Sequence, residues 1–273
     1  MTPIRICLAG ATGWAGSELA RGIARAPDLA LVSAVSRRHA GQDLWTVLGQ
    51  GQPGDVSPWC PVYASAKEAL AAHACDVLVE YTGPESARGN ILAALEHGAQ
   101  VVVGSSGLTE EDFAEIDRVA RQRNRGVLAC GNFALTVVLL QKFAEMAAKL
   151  IPQWEIIDYA HDDKVDAPSG TARELAARLA RVRAPEPTVP VEKTVGPREA
   201  RGATLSASQV HSIRLPGYVI SAEILFGLPD QRLSIRHDSG TSARPYVDGA
   251  LIAIRKVGGL VGLHRGLDGV LEF

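Results

Sequence analysis

A crowded polar segment, HDDKVDAPSGT at residues 161–171, stands directly before a sequence in which Ala and Leu recur at helical spacing. Lys164 carries a proton that it can donate, and the His161 imidazole can donate or accept one. Ser169, alone or with Thr171, fits the N-cap of the helix, where exposed backbone amides can hold a carboxylate or a phosphate. These residue types together predict a site for a small carboxylic acid that needs a proton. The alternative is an ordinary capped helix with no ligand.

Several carboxylates accompany this chemistry, and the sequence favours structural roles for them. Asp162 and Asp163 are expected to face solvent or to pair with the nearby lysine, and Asp166 is expected to hydrogen-bond the turn. Asp76 and Glu80 flank a predicted strand of the first half, where both are expected to be structural.

Two histidines and two arginines in the second half of the chain could have either structural or substrate-binding roles. His211 and His237 fall in predicted strands, where a single histidine is more often a satisfied structural residue than a substrate ligand. Arg214 and Arg244 can bind a substrate carboxylate or pair with acidic neighbours. The sequence does not separate these alternatives.

Three glycines, Gly10, Gly13 and Gly16, form the pattern GxxGxxG directly after a short strand-prone segment. Glycine permits the tight turn and lets the backbone approach a pyrophosphate, which binds the amides at the positive end of the following helix. A purely structural turn is the alternative, because such spacing also occurs by chance in glycine-rich chains. The position of this turn at the start of an α/β pattern favours a dinucleotide.

The end of the second predicted strand, where the adenosine ribose should bind, is basic. An acidic residue there would accept a hydrogen bond from the 2′-hydroxyl and favour NAD, but this chain has Ser36, Arg37, Arg38 and His39. Two guanidinium groups can bind a 2′-phosphate through paired donors. The pattern therefore favours NADPH, with NADH as a weaker ligand, and a solvated basic turn is the alternative.

The first half of the chain alternates between strand-prone and helix-prone segments. Strands are predicted at 4–9, 29–36, 75–82, 100–105 and 126–132, and helices at 17–26, 65–73, 85–98 and 109–123. Such alternation predicts a Rossmann-like, doubly wound parallel sheet with right-handed crossovers. Gly98 and Gly126 are expected to end helices.

The pattern changes after about residue 131. A long helix at 136–150 precedes strand 154–161, and a helix at 171–182 is followed by a Pro-rich surface loop at 183–199. Segments 210–215, 218–227 and 231–238 are then predicted to form consecutive antiparallel strands in a meander, before a helix at 243–260. We therefore expect a dinucleotide-binding domain of residues 1–130 and 241–273, and an inserted α+β domain of residues 131–240 for substrate binding and oligomerisation.

The composition is that of an ordinary enzyme and excludes several classes of partner. The chain has 273 residues, 47% hydrophobic and 21% charged, with a formal net charge of -2. This balance gives no electrostatic basis for binding nucleic acid or an anionic membrane, and no apolar run approaches the ~18 residues that a spanning helix needs. The start of the chain lacks the features of a signal peptide. The four cysteines lack metal-like spacing, so we expect small apolar roles, no metal site and a cytoplasmic protein.

The segment KVDAPSGTA at 164–172 resembles the signature of the 4-hydroxy-tetrahydrodipicolinate reductases, or dihydrodipicolinate reductases, of lysine biosynthesis. Five further segments agree with that family in order and spacing: GATGWAG (10–16), EYTGPES (80–86), GSSG (104–107), GNF (131–133) and RLSIRHDSGTSARPYVDGA (232–250). The resemblance thus extends over essentially the whole chain. It implies an NAD(P)H-dependent reductase of a small cyclic imine carboxylic acid that assembles as a homotetramer.

The resemblance also implies roles for particular residues. In the inserted domain, Lys164 would supply a proton, His161 would contact the other side of the substrate ring, and Ser169, Gly170 and Thr171 would bind a substrate carboxylate. In the first domain, Thr82 and the 104–107 loop would approach the nicotinamide ribose and carboxamide. The full set of implied cofactor ligands is Gly10, Thr12, Gly13, Trp14, Ala15, Gly16, Ser36, Arg37, Arg38, Tyr81, Thr82, Gly104, Ser105, Ser106, Asn132 and Phe133.

The chain departs from the family pattern at several positions. Ala160 stands where the family has the first of two adjacent histidines, and that histidine is the proposed acid. Trp14 and Ala15 replace an Arg-Met pair. Tyr159, Glu223 or a water molecule could take over the role of the missing acid. These departures leave two alternatives open: a reductase of another cyclic imine or imino acid, and a catalytically idle NADPH-binding protein.

Overall fold

The computed structural model describes residues 2–49 and 59–272, and the chain forms two compact units. The first unit comprises Met1–Leu135 and Ser242–Phe273, and the second comprises Thr136–Thr241. Each unit contains its own sheet. Within the described part of the chain, no helix is both long enough and apolar enough to cross a membrane.

Strands and helices are numbered separately along the chain. The strands are β1 (Ile4–Ala9), β2 (Leu29–Val35), β3 (Val62–Tyr63), β4 (Val77–Glu80), β5 (Gln100–Val103), β6 (Gly126–Ala129), β7 (Trp154–Ala160), β8 (Ala203–Leu205), β9 (Ser208–Arg214), β10 (Ile220–Leu228), β11 (Gln231–Ser239) and β12 (Gly262–Arg265). The helices are α1 (Trp14–Ala24), α2 (Leu44–Val47), α3 (Ala66–Ala72), α4 (Pro84–Glu96), α5 (Glu110–Gln122), α6 (Leu135–Ala148), α7 (Gly170–Val182) and α8 (Val247–Lys256).

The first unit is built on a seven-stranded sheet in the order β12-β6-β5-β4-β1-β2-β3, with every neighbouring pair parallel. Read from β3, this is the strand order of the Rossmann fold, which confirms the predicted doubly wound sheet. Its central strands are almost wholly buried, since crossover helices cover both faces of a parallel sheet. In such sheets the carboxyl ends of the strands bind ligands.

The second unit contains a five-stranded mixed sheet in the order β11-β10-β7-β9-β8. The predicted meander of consecutive antiparallel strands is therefore wrong: β7 lies between β10 and β9, parallel to β9 and antiparallel to β10. The reason is the crossover through α7 and the Pro-rich loop, which returns the chain in the direction of β7. Only β8–β9 and β10–β11 are antiparallel neighbours in sequence.

One face of this second sheet is covered by α6 and α7. The buried cluster includes Leu140 and Ala144 from α6, Leu175 from α7, and Ile156 and Ile224 from the sheet. Because successive strand residues point to opposite faces, the alternate positions of β7, β9 and β10 face away from both helices. This arrangement fixes which side chains can meet at the start of α7.

The two glycines expected to end helices have different roles. Gly98 follows α4 with φ of +78°, as predicted for a residue just past a helix end. Gly126 instead begins β6, so its predicted role is wrong. A Cβ there would lie 2.6 Å from the Val257 carbonyl oxygen, so close packing requires this glycine. Asn124, with φ of 52°, makes the turn after α5.

The four cysteines all lie in the described part of the chain and form no disulfide there. Cys7, Cys60 and Cys130 are buried and Cys75 is half-buried, which suits the predicted small apolar role. Burial raises the pKa of the Cys7 and Cys60 thiols to about 12, so neither is a thiolate at neutral pH.

Candidate active site

The glycine-rich turn between β1 and α1 is too tight for a side chain at two of its positions. Gly10 has φ of +82°, and a Cβ there would lie 2.3 Å from the Tyr81 carbonyl oxygen. A Cβ on Gly16 would lie 2.1 Å from the Gly10 carbonyl oxygen. Both clashes are with backbone, which cannot swing away as a side chain can. The turn therefore requires glycine, as expected where the backbone approaches a pyrophosphate.

The N-terminus of α1 is open to an anion. Gly13 is the N-cap and supplies no side-chain hydrogen bond, and the first turn contains no acidic residue. Trp14 and Ala15 begin the helix, so their amides lack intrahelical acceptors. Thr12 Oγ1 lies 2.8 Å from Ser36 Oγ and links the turn to the end of β2. The free amides and the helix dipole fit a cofactor pyrophosphate.

A cavity of about 470 Å³ lies at the carboxyl ends of β1, β2 and β4. Gly10, Ser36, Arg37 and Thr82 are among the residues that line it. Arg37 and the adjacent Arg38 are exposed, and neither has an ion-pair or hydrogen-bond partner within the described residues. Both guanidinium groups are thus available to an anionic ligand.

A second cavity, of about 220 Å³, has largely aromatic walls. Trp14, Tyr81, Phe133 and Tyr246 line it, together with Ala15, Gly104, Cys130, Gly131 and Asn132. The rings of Trp14 and Tyr246 meet edge to face, with centroids 5.7 Å apart, and those of Tyr81 and Phe133 are tilted at 5.8 Å. Burial raises the pKa of Tyr81, so its phenol stays neutral. A slot of this size between aromatic walls fits a flat ring such as nicotinamide.

The Gly104–Gly107 loop carries three of the predicted ligands, Gly104, Ser105 and Ser106. Ser105 Oγ lies 3.1 Å from the Glu80 carboxylate and 3.2 Å from its carbonyl oxygen, whereas Ser106 is exposed. A Cβ on Gly104 would lie 2.1 Å from the Tyr81 ring, so the loop packs directly on the aromatic wall.

Glu80 holds this part of the first unit together, which suits its predicted structural role, although the sequence did not reveal its partners. The side chain is fully buried and accepts hydrogen bonds from the amide and hydroxyl of Thr82, from Ser105 Oγ and from Asn90 Nδ2. Burial raises the pKa of Glu80, and these hydrogen bonds oppose that shift. By contrast, Asp76 pairs with Arg5 at the protein surface, as expected of a structural residue. The sequence feature that could have indicated the role of Glu80 is the presence of an acidic residue in an otherwise apolar strand.

In the second unit, the polar segment after β7 contains a lysine–carboxylate ion pair and a histidine between two carboxylates. Lys164 Nζ lies 2.5 Å from Asp166 Oδ1, and this ammonium lowers the pKa of the Asp166 carboxyl. His161 Nδ1 lies 2.8 Å from Asp162 and 2.9 Å from Asp163. Asp162 and Asp163 are both exposed, as expected, and neither pairs with the lysine, because both lie beside His161.

The start of α7 is fixed by a buried carboxylate and a half-buried arginine. Asp158 accepts hydrogen bonds from the Ser169 amide at 2.8 Å and from Arg214 Nη2 at 2.8 Å. The same Arg214 nitrogen donates to the Asp166 carbonyl oxygen at 2.7 Å. Of the two alternatives for Arg214, the structure thus shows pairing with an acidic neighbour. The loop that carries Lys164 is held at both ends.

Ser169, Gly170 and Thr171 differ in what they offer a ligand. Ser169 is the N-cap of α7: its side chain accepts from the Ala172 amide at 3.3 Å, and its own amide is bound by Asp158. Gly170 and Thr171 are the first helical residues, and their amides have no partner within the described chain. The open amides at this helix end can hold a carboxylate.

Ala160 is buried on the face of the second sheet that carries Asp158. Tyr159 points to the opposite face, where its hydroxyl donates to Glu223 at 2.9 Å and Arg236 stacks on its ring. Tyr159 and Glu223 therefore cannot occupy the position of a side chain at residue 160. Two of the candidates for the missing acid are thus removed.

The remaining histidines have protein partners in the second unit. His211 Nε2 lies 2.7 Å from Glu155, and the buried His237 lies 2.9 Å from Thr136 Oγ1. Burial lowers the pKa of His237.

Arg244, in the first unit, is exposed and makes no ion pair with the described residues. Among those residues, no group of three or more His, Cys, Asp or Glu is arranged to hold a metal ion.

Parallel sheets of this order bind dinucleotides at the glycine turn, and here both the turn and the open end of α1 fit a pyrophosphate. The second unit adds a lysine next to an open helix end, which suits an acidic substrate that takes up a proton. These features define the class as an NAD(P)H-dependent oxidoreductase.

Comparison with known proteins gives the family. Residues 4–133 match the model of the dihydrodipicolinate reductase N-terminus, and residues 136–271 match that of its C-terminus. The chain therefore belongs to the dihydrodipicolinate reductase family, which confirms the resemblance seen in the sequence.

Individual relatives extend over the whole chain. It is 38% identical over 271 residues to the 4-hydroxy-tetrahydrodipicolinate reductase of Moorella thermoacetica, covering 99% of this chain and 98% of the relative. The enzyme of the same name from Halalkalibacterium halodurans is 37% identical over 269 residues, covering 98% and 100%. Among solved structures, dipicolinate-bound dihydrodipicolinate reductase from Paenisporosarcina sp. TG-14 matches with a TM-score of 0.86 at 30% identity, covering 99% and 100%.

Proposed function

We propose that this protein is an NADPH-dependent 4-hydroxy-tetrahydrodipicolinate reductase of lysine biosynthesis. The observation that carries the proposal is the KVDAPSGT segment, in which Lys164 and the open amides of Gly170 and Thr171 occur together in a chain that matches the family throughout.

The substrate is a cyclic imine that carries carboxylates, and the start of α7 supplies a site for one of them. The Gly170 and Thr171 amides donate to the carboxylate oxygens, and the helix dipole favours the negative charge. Asp158 and Arg214 hold this helix end in place, so the amides are positioned before the substrate binds. His161, steadied by its two carboxylate neighbours, contacts the other side of the ring.

Lys164 is the proton donor of the proposed reaction. The 4-hydroxyl group of the substrate leaves as water, and when bound, NADPH would supply the hydride that reduces the resulting unsaturated ring. The ring then needs a proton at an electron-rich nitrogen or carbon, and the Lys164 ammonium carries one that Asp166 orients at 2.5 Å. The same positive charge favours the negative charge that develops on the ring.

The residues of the first unit provide for the cofactor. Gly10, Thr12, Gly13, Trp14, Ala15 and Gly16 form the pyrophosphate turn. Tyr81, Gly104, Ser105, Ser106, Asn132 and Phe133 form or flank the aromatic cavity for the nicotinamide, and Thr82 meets the ribose. Arg37 and Arg38, which have no partner among residues 2–49 and 59–272, support NADPH over NADH because paired guanidinium donors suit a 2′-phosphate.

The proposed assembly is a cytoplasmic homotetramer formed through the inserted unit. The sheet face opposite α6 and α7 supports this, because it presents half-buried apolar side chains such as Ile157, Ile213 and Leu225. Homo-oligomers commonly bury such faces against a second copy.

A second candidate is a reductase of another, more basic cyclic imine. Ala160 favours it, because a substrate already protonated in water would not need the acid that the family histidine provides. The third reading, an idle NADPH-binding protein, is disfavoured by the retained Lys164 and its orienting carboxylate.

One assay separates these functions. Purified protein is mixed with NADPH and enzymatically generated 4-hydroxy-tetrahydrodipicolinate, then with simple cyclic imines, while the nicotinamide absorbance is followed. We expect turnover with the first substrate at an ordinary enzymic rate, ~1 s⁻¹ or faster. Turnover with the simple imines alone would support the second candidate, and tight NADPH binding without any turnover would support the third.

A further inference from the structure

A buried carboxylate lies directly behind Thr82 in the first unit. Glu80 ends β4 with no exposed surface, and no Lys, Arg or His within the described residues pairs with it. A buried charge without a counter-ion is costly unless hydrogen bonds satisfy it. The positions that supply these hydrogen bonds are therefore tightly constrained.

The donors to Glu80 come from three different segments. Oε1 accepts from the Thr82 amide at 2.7 Å, from the Thr82 hydroxyl, and from Ser105 Oγ at 3.1 Å. Oε2 accepts from Asn90 Nδ2 at 2.8 Å. One side chain thus ties together the loop after β4, the loop after β5, and α4.

This arrangement determines whether the Thr82 hydroxyl donates a hydrogen bond to a ligand or accepts one from it. A hydroxyl has one hydrogen to donate and lone pairs to accept, and the hydrogen of Thr82 is committed to Glu80. Thr82 lines the 470 Å³ cavity, so toward a ligand its oxygen can only accept. The hydroxyl groups of a ribose are suitable donors to such an acceptor.

We infer that Glu80 is a positioning residue for the cofactor: it fixes Thr82 so that the threonine hydroxyl accepts a hydrogen bond from a ribose hydroxyl of NADPH. This inference rests on the proposed function for the identity of the cofactor. Ser105 depends less on the Glu80 side chain, because the Glu80 carbonyl oxygen at 3.2 Å offers its hydroxyl a second acceptor.

A double-mutant cycle on NADPH affinity tests the inference. The dissociation constant is measured by titration calorimetry for the wild type, Thr82→Val, Glu80→Met and the double variant. Thr82→Val should weaken binding roughly 3- to 10-fold in the wild type, the range for one lost hydrogen bond. In the Glu80→Met background, where the Thr82 hydroxyl is no longer oriented, Thr82→Val should weaken NADPH binding by less than about 2-fold. Equal effects in both backgrounds would overturn the inference.

Glu80→Gln provides the rescue. Its amide oxygen can accept from Thr82, and Asn90 can rotate its own amide to accept from the new NH₂ group. NADPH affinity should therefore stay within about 3-fold of the wild type, and Thr82→Val should keep its full effect in this background. Loss of that effect in Glu80→Gln would contradict an acceptor role for position 80.

Asp43→Asn is the matched control. Asp43 is also a nearly buried carboxylate of the first unit that accepts from the Thr46 amide at 3.1 Å and the Cys60 amide at 2.8 Å. It does not line either cofactor cavity. This variant should unfold at a lower temperature while the Thr82→Val effect persists. If it abolished that effect, the coupling would reflect general destabilisation and the inference would fail.

Two further outcomes are decisive. If Glu80→Met does not fold, Thr82→Ser and Thr82→Val are compared in the wild type: Ser should bind NADPH within about 2-fold of Thr, and Val should bind 3- to 10-fold more weakly. Equal affinities would overturn the inference. A wild type that binds NADPH tightly but shows no Thr82→Val effect contradicts only this inference, whereas a wild type that does not bind NADPH contradicts the proposed function as well.

Discussion

The proton that the proposed reaction needs has few sources in the second unit. Ala160 carries no acid, and Tyr159 and Glu223 bond to each other on the opposite face of the sheet. Lys164 and His161 remain. Lys164 is the proposed donor because Asp166 orients its ammonium in a loop that Asp158 and Arg214 anchor. At the scale of single residues, we therefore assign to the Lys164 ammonium both the proton and the charge that favours reduction.

Replacing Lys164 should separate these two roles. Lys164→Ala should lower kcat by roughly 10²–10⁴-fold, the usual contribution of a general acid. Lys164→Arg keeps the charge but holds its proton too tightly to donate it, so kcat should stay low while KM recovers. Lys193→Ala, at an exposed lysine, is the control and should match the wild type. Steady-state kinetics check this, and unchanged kcat in Lys164→Ala would show that the assignment is wrong.

Burial of His237 predicts a pH dependence of stability. Its folded pKa lies below the unfolded value of about 6.5, so between the two values the unfolded chain binds the additional proton. Stability should therefore fall as the pH drops from 7.5 to 5.5, by at most ~1.4 kcal/mol per pH unit. Urea unfolding of wild type and His237→Gln at both pH values checks this. The prediction would be contradicted if the wild type and His237→Gln differed in free energy of unfolding by the same amount at both pH values.

The start of α7 combines two functions that belong to different residues. Ser169 closes the helix end, since its hydroxyl and amide both have protein partners, whereas Gly170 and Thr171 keep open amides. At the scale of elements, we therefore expect the cap to affect stability and the first helical turn to affect substrate binding.

Ser169→Ala tests this division. Loss of an N-cap costs about 1 kcal/mol, so the free energy of unfolding should fall by that amount. The Gly170 and Thr171 amides remain, so the substrate KM should change less than about 3-fold. Urea unfolding and initial-rate kinetics measure the two effects. A KM increase above tenfold with unaltered stability would identify Ser169 as a substrate ligand instead.

The basic turn after β2 should select the cofactor. Replacing both Arg37 and Arg38 with Ala removes charge-assisted hydrogen bonds to a 2′-phosphate, so NADPH affinity should fall roughly 10- to 100-fold. NADH lacks that phosphate, and its affinity should change little. Arg25→Ala, an exposed arginine after α1, serves as the control. Calorimetric titration with both cofactors is the measurement, and equal losses would remove the 2′-phosphate argument.

The elements that the sequence predicts correctly are those whose pattern lies within a short stretch of neighbouring residues. The glycine turn, the strands β1, β2 and β4–β6, and the Ser169 cap have short-range patterns, and all were predicted. The order of the second sheet was not, because it depends on where the α7 crossover returns the chain rather than on any strand's own sequence. β3, β8 and β12 were missed. β3 and β8 have only two and three residues, which carry little periodicity.

The same distinction applies to the site. Lys164 and the helix end are close in sequence, so their association was predictable. Glu80 bonds to residues two, ten and twenty-five positions away, and only the fold brings Thr82, Asn90 and Ser105 together around it. Likewise, the pairing of Tyr159 with Glu223 follows from the register of β7 against β10, which no local pattern encodes.

At the scale of the whole molecule, the candidate cofactor and substrate residues belong to different units. The first contains the glycine turn, the basic turn and the aromatic cavity, and the second contains Lys164 and the open end of α7. Matches to the family models over residues 4–133 and 136–271 follow the same division. In the proposed reaction, a hydride of the nicotinamide cofactor reduces a cyclic imine acid.

Isotope transfer tests that claim most directly. Protein is incubated with NADPH that carries deuterium at the reactive face of nicotinamide C4 and with generated 4-hydroxy-tetrahydrodipicolinate, and the ring product is analysed by mass spectrometry. The account predicts tetrahydrodipicolinate with one deuterium per NADPH consumed. Absence of NADPH consumption, or consumption that leaves the product unlabelled, would contradict it.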